Sequence, residues 1–175
     1  MTSPEVLWAG WRSAYVSSIV EPTGRAAGDR SPPACVFCSI LASGAPDDET
    51  HIVWRGDGIV AILNAYPYSS GHVLVMPARH VGGLSELDAA ETTGLWAAVT
   101  AAVGAIEAAF RPEGINVGAN LGKAAGAGVP GHLHVHALPR WAGDTNFMTT
   151  IANTRVMPEP LDLTWAKLRE HWRPG

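Results

Sequence analysis

Residues 51–77 read HIVWRGDGIVAILNAYPYSSGHVLVMP, and three short runs within them decide the fold: HIVW, GIVAILN and GHVLVMP. Each is rich in β-branched residues and bounded by Gly, Asp or Pro, the punctuation of antiparallel strands joined by turns. A three-stranded meander is predicted. Downstream, SELDAAETTGLWAAVTAAVGAIEAAF (85–110) changes period. Leu95, Val99, Val103 and Ile106 recur on one helical face, with Ser85 as the expected N-cap and Arg111-Pro112-Glu113-Gly114 as the stop. GINVGANLG (114–122) and GHLHVHALP (131–139) supply two more strands joined by a glycine-rich loop, about five in all. LDLTWAKLREHW (161–172) reads as a C-terminal amphipathic helix docking by Leu161, Trp165 and Leu168. Strands, one long helix, then more strands predict an α+β domain with a five-stranded antiparallel sheet.

Outward from this body, residues 1–34 form an N-terminal arm and loop. Leu7, Trp8, Trp11 and Tyr15 fall at helical spacing, and EPTGRAAGDRSPPA (21–34) resists regular packing. The 175 residues, 47% hydrophobic and 16% charged, predict one core and exclude a largely disordered or coiled-coil chain. A net charge of -4 without any Lys or Arg run provides no field to gather nucleic acid or anionic membrane, so small substrates are expected. No stretch reaches the ~18 uninterrupted apolar residues of a membrane span. The N-terminus lacks a signal-peptide layout, and a cytoplasmic protein is predicted. Most tryptophans, Trp96 among them, read as packing residues at helix-face positions.

His132-Leu133-His134-Val135-His136 carries the chemistry. Alternate residues of a strand share a face, so three imidazoles line one surface while Leu133, Val135 and Ala137 face the core. Such a row either chelates zinc, as in three-His metallohydrolases, or supplies a nucleophile with a neighbour handling a proton. The preceding loop, Asn120-Leu-Gly-Lys-Ala-Ala-Gly126-Ala-Gly128, favours phosphate chemistry, because small residues expose backbone N–H groups beside the row. Lys123 and Arg140 add positive charge. Cys35 and Cys38, the only cysteines, read either as half of a tetrahedral zinc site or as two small buried thiols.

With these residues in view, the chain resembles the histidine triad (HIT) superfamily of nucleotide hydrolases and transferases, whose signature alternates three histidines with apolar residues. The similarity runs over 35–148 through Cys-x-x-Cys, LNAYPYSSGHVLVMPARHV, the Asn-x-Gly loop and Pro139-Arg140-Trp141, leaving 149–175 as a C-terminal extension with its helix packed on the domain. It is strongest to the bacterial branch related to diadenosine tetraphosphate phosphorylases and hydrolases. The resemblance implies cleavage at the α-phosphate of an adenine dinucleotide polyphosphate. His134 would be the nucleophile that forms a nucleotidyl-histidine, His136 the group that hydrogen-bonds phosphate and helps protonate the leaving oxygen, and His72 their support. It further implies Asn64 at the ribose, Asn120, Gly126 and Gly128 at phosphate, and no catalytic cofactor. Trp141, directly after the histidine strand, is placed to flank the substrate. Some members complete a structural zinc site, here Cys35 and Cys38, with His80 and His132. A homodimer pairing through the long helix, by Leu95, Trp96 and Val99, is implied as well. Ala127-Gly128 departs from the family, many of whose members carry a Ser here. That departure keeps open a nucleotide-binding or sensing module with negligible turnover, beside an adenosine phosphoramidase.

Overall fold

In the computed structural model, which describes residues 35–144 and 159–173, the chain starts with a short helix α1 (Val36–Ala42) and a single helical turn α2 (Asp47–Thr50). Strands β1 (Ile52–Arg55), β2 (Ile59–Leu63) and β3 (Val73–Pro77) then pair as the antiparallel meander. The long helix α3 (Ala89–Phe110), strands β4 (Gly114–Gly118) and β5 (Val135–Arg140), and the helix α4 (Leu161–His171) follow. The sheet has five strands in the order β1-β2-β3-β5-β4, so β5 lies between β3 and β4. Leu7, Trp8, Trp11, Tyr15 and the loop 21–34 lie outside the described residues.

Strand alternation divides the core between the two faces of the sheet. Ile59, Ala61, Val73, Val75, Val135 and Ala137 meet Leu95, Ala98, Val99, Ala102 and Ile106 of α3, with Leu168 of α4 in the same cluster. Ile52, Val60, Ile62, Leu74 and Met76 pack on the other face against Phe37 of α1. The small residues Ala98, Ala102 and Ala105 bring α3 close to the sheet, while Val103 is only half-buried. Trp165 Nε1–H in α4 donates to the Ile52 carbonyl at 2.9 Å, and Trp172 stacks on Trp54 with ring centroids 5.7 Å apart.

Several expectations are corrected. Ser85 lies in a separate one-turn 3-10 helix, Leu84–Glu86, and Asp88 caps α3 through a full capping box with Glu91. Leu87 between them is extended, which stops the helix from starting earlier. Leu95 and Val99 are buried against the sheet and face no partner; of the three residues expected at a dimer contact only Trp96 reaches the surface, 48% exposed, so it is not a packing residue within this domain either. The 22 residues of α3 are long and apolar enough, by length and composition, to cross a membrane, although Glu91, Thr92, Thr93, Thr100 and Glu107 interrupt the apolar run; in this fold one face of the helix covers the sheet. The histidine row also departs from a continuous strand, because β5 begins only at Val135. Val75 and Val135 are the last pair of the β3–β5 ladder, and Pro77, having no N–H, cannot extend it.

Candidate active site

His132 and His134 therefore sit on an extended entry to β5 and His136 on the strand, yet the alternation persists. Leu133, Val135 and Ala137 join the α3 side, and the imidazoles stay on the α1 side, where Phe37 lies edge-on to His132 and His134 at 5.4 and 5.2 Å. His136 pairs with Leu74 on one side and Gly118 on the other. Gly118 leaves open space beside the ring, since a Cβ there would meet nothing within 4 Å.

Backbone contacts fix where each imidazole holds its proton. The Tyr68 N–H donates to His72 Nδ1 at 3.1 Å, with Asn64 Nδ2 a further 3.3 Å contact, so Nδ1 accepts and the His72 proton is on Nε2. That proton is donated to His136 Nδ1 at 2.9 Å, which places the proton of His136 on its own Nε2. Among the described residues His136 Nε2 is buried without a partner. His134 Nδ1–H donates to the His132 carbonyl at 2.7 Å, leaving the Nε2 lone pair of His134 available. Burial, and secondarily the neighbouring His134, push His136 down to about 4, and burial also holds His134 below the usual histidine range. At neutral pH the pair is thus an uncharged acceptor beside an uncharged donor, 5.1 Å apart between ring centroids.

His132 turns the other way. Its Nε2–H donates to the Pro77 carbonyl at 2.8 Å, and Nδ1 faces Cys35 Sγ at 3.3 Å and Cys38 Sγ at 3.6 Å. His80 Nδ1 lies 3.3 Å from Cys38 Sγ, and the four ligand atoms are all within 4.8 Å of one another. Ligands of a tetrahedral ion with bonds of ~2.0 to 2.3 Å stand about 3.5 Å apart, so two thiols and two imidazole lone pairs at this spacing fit one. Burial and the adjoining Cys35 push the Cys38 thiol up, which a bound cation would reverse. Three-His chelation is not built, since His132 points to the cysteines and away from His134 and His136.

The remaining candidates surround this core. Asn64 ends β2 and its Oδ1 accepts from the Tyr66 N–H at 2.9 Å, while Asn120 is half-buried where the glycine-rich loop begins. In that loop the Gly126 N–H is already bonded to the Lys123 carbonyl at 2.9 Å, and among the described residues the Gly128 N–H has no partner. Arg140 does not supply a free charge as expected, because it forks onto Asp144 and reaches Asn116 Oδ1 at 2.9 Å. That turn holds half-buried Trp141, whose N–H donates to Asp144 at 3.2 Å. Phe37, Tyr68 and the Pro77 carbonyl were not singled out by sequence. Phe37 between two cysteines had a signal, as an apolar residue in a candidate metal loop. The Tyr68 N–H and Pro77 carbonyl had none, since they act through the backbone.

A HIT domain matches residues 45–143. An AP-4-A phosphorylase of Mycobacterium tuberculosis is 39% identical over 166 residues, 95% of this chain and 83% of that protein. Among solved structures, a hypothetical histidine triad nucleotide-binding protein of Sulfolobus tokodaii superposes with TM-score 0.64 at 32% identity, over 78% of this chain and 91% of that one. A zinc-bound histidine triad family protein of Mycobacterium smegmatis gives TM-score 0.64 at 28% identity, over 79% of this chain and 92% of that one.

Proposed function

The chain belongs to the HIT domain family and is a nucleotide hydrolase or transferase, and from that premise we propose that it cleaves adenine dinucleotide polyphosphates at the α-phosphorus through a nucleotidyl-histidine on His134. The observation that carries this reading is the pair of proton addresses at His134 and His136. One ring presents a lone pair at Nε2, and the next presents a buried N–H without an acceptor. A buried donor with no partner is costly unless its acceptor arrives with the substrate. The 39% identity to a protein named AP-4-A phosphorylase supports the choice of dinucleotide.

In the first step His134 Nε2 bonds to phosphorus as the P–O bond to the departing nucleotide breaks. The imidazolium so formed keeps its Nδ1–H on the His132 carbonyl. His136 donates from Nε2 to a phosphate oxygen. Its Nδ1 already receives the His72 proton, which suits a polyphosphate leaving as an anion, with a second pKa of about 6, better than an amine that needs a whole proton. In the second step water or inorganic phosphate attacks phosphorus and the P–N bond breaks, restoring the lone pair. Asn64 serves the ribose, Asn120 and the Gly128 N–H the phosphates, and Trp141 the rim, while the Gly126 N–H stays on the Lys123 carbonyl and shapes the loop. We also assign zinc to Cys35, Cys38, His80 and His132, as a structural ion outside the chemistry. A homodimer, with Trp96 in its contact, would elute from gel filtration at twice the chain's mass; a monomer at low concentration refutes it.

Purified protein incubated with diadenosine tetraphosphate, with and without phosphate, tests the activity. ADP plus ATP appearing only with phosphate marks a phosphorylase, AMP plus ATP a hydrolase, and tight AMP binding without turnover the sensing module. His134→Asn keeps an amide donor for the His132 carbonyl but removes the nucleophile. Turnover should fall by about 10³-fold or more with little change in melting temperature. Near-normal turnover in that variant refutes the mechanism.

A further inference from the structure

His132 belongs to two constructions at once. Its ring nitrogen Nδ1 faces both thiols at 3.3 and 3.6 Å, and its backbone carbonyl receives the Nδ1–H of His134 at 2.7 Å. A second route joins the same two places. Phe37 lies between the cysteines in the chain, and its ring meets the His132 and His134 rings edge-on at 5.4 and 5.2 Å. Through this ring α1 reaches the nucleophile. The β3–β5 ladder has ended at Val135, and the peptide joining residues 132 and 133 is held instead by Leu133 N–H, which donates to the Val81 carbonyl at 2.6 Å. The backbone thus sets the carbonyl, and the His132 side chain, anchored by Nε2–H on Pro77 and by Nδ1 on the thiol pair, ties that peptide to α1 and its Phe37.

We propose that Cys35, Cys38 and His80 are positioning residues for His134, so that a divalent cation held between them and His132 sets the rate of nucleophilic attack and not the affinity for substrate. The proposal rests on the reading of His134 as nucleophile. The cation takes no part in the reaction. It ties α1 to His132, which seats the Phe37 ring against the His134 ring while the His132 carbonyl holds the His134 Nδ1–H, and these two contacts together aim His134 Nε2. Released from the ion, His132 loses its tie to α1, and the Phe37 ring is free to move away from His134. Displacement of a reacting atom by about 1 Å costs on the order of 10²-fold in rate, and loss of a group that orients a ligand or catalytic side chain costs 10- to 100-fold. Substrate contacts made by Asn64 and the glycine-rich loop lie on other elements, so binding is spared.

The test uses the full chain. Zn²⁺ is removed with a chelator and restored in steps while bound metal, free thiols, circular dichroism, kcat, KM and the proton resonance of His134 Nδ1–H are followed together. The expected result is one ion per chain and a kcat at least tenfold lower in the metal-free, folded protein with KM within about twofold. The His134 Nδ1–H resonance should broaden on removal and sharpen as zinc or Co²⁺ returns. Leu168→Ala, in the core on the opposite face of the sheet, is the control, losing thermal stability but keeping the zinc-loaded kcat. If the metal-free chain unfolds, exchange of Zn²⁺ for Co²⁺ or Cd²⁺ keeps the four ligands and changes the bond lengths. kcat should then vary with the ion and KM should not. Failure to bind an ion, an unchanged kcat and resonance in the metal-free folded chain, a change in KM alone, or identical kcat with all three ions overturns the proposal. If the zinc-loaded protein turns over no dinucleotide and takes no label at His134, the nucleophile reading fails instead, and the response of the resonance to the ion still decides whether the site positions that ring.

Discussion

At His136, a backbone N–H two rings away decides what the imidazole can do. Tyr68 donates to His72, His72 donates to His136, and a second proton on His136 Nδ1 would face the His72 N–H. Burial, and secondarily the neighbouring His134, keep His136 neutral down to about 4. A pH dependence follows whose sign is fixed. The folded pKa is depressed, so above pH 6.5 neither folded nor unfolded chain carries the proton; between pH 6.5 and about 4 the unfolded chain binds it and the folded chain does not. Stability contributed by this residue is thus whole above pH 6.5 and lost as pH falls towards 4. In kinetics, kcat/KM for diadenosine tetraphosphate, which precedes the acceptor step, should stay level through pH 6.5 and bend only below it, since burial holds both His134 and His136 below the usual histidine range. An acid limb centred at 6.5 or above would mean that one of the two rings takes up a proton there, and would break the scheme. The row's chemistry was legible from His132, His134 and His136 alone, because alternation survives even where the strand does not. The proton addresses were not, since they are set by backbone groups of Tyr68, His132 and Pro77 whose positions no side-chain pattern reports.

Among the elements, the meander, α3, β4 and α4 were legible because each has a strong period and clear breakers. The miss at the start of α3 shows where pattern reading fails. Ser85 and Asp88 are both competent caps, and Asp88-Ala-Ala-Glu91 is itself a capping-box spacing. The choice between them depends on Leu87, which is extended and packs against the core, and that is a tertiary fact. Asp88 accepts from the Glu91 N–H at 2.8 Å and Glu91 Oε2 accepts from the Asp88 N–H at 3.1 Å, while Arg79 pairs with the same carboxylate. Asp88→Ala should therefore cost about 1 kcal/mol in urea unfolding, and Ser85→Ala less than about 0.5 kcal/mol. Equal effects would restore Ser85 as a cap. Helix α1 escaped prediction altogether. Its seven residues are too few for a helical period to stand out, and its Cys-x-x-Cys suggested a metal loop before it suggested a helix.

For the molecule as a whole, the sheet separates stability from chemistry. One face carries α3 and α4 and most of the buried apolar side chains; the other carries α1, the histidines and the cysteine cluster. The sequence pattern showed that strands alternate but not that both faces are covered, because β2 and β3 are buried along their whole length and read as continuous apolar runs. If the division is physical, a cavity cut into the α4 side should lower stability without touching turnover. Leu168 is fully buried in the cluster with α3, and no part of it faces the histidine side. Leu168→Ala removes its packing and leaves a void, a change that costs about 2 to 5 kcal/mol in cores of this kind. For a chain of this size that corresponds to a melting temperature lower by roughly 5 to 15 °C. Measured at 25 °C, where the variant is still folded, kcat and KM should remain within about twofold of the parent, because the contacts that aim His134 and His136 come from His132, His72 and Phe37 on the other face. A tenfold fall in kcat in the folded variant would mean that packing under the sheet reaches the histidines through β5, and the two faces would then have to be treated as one device.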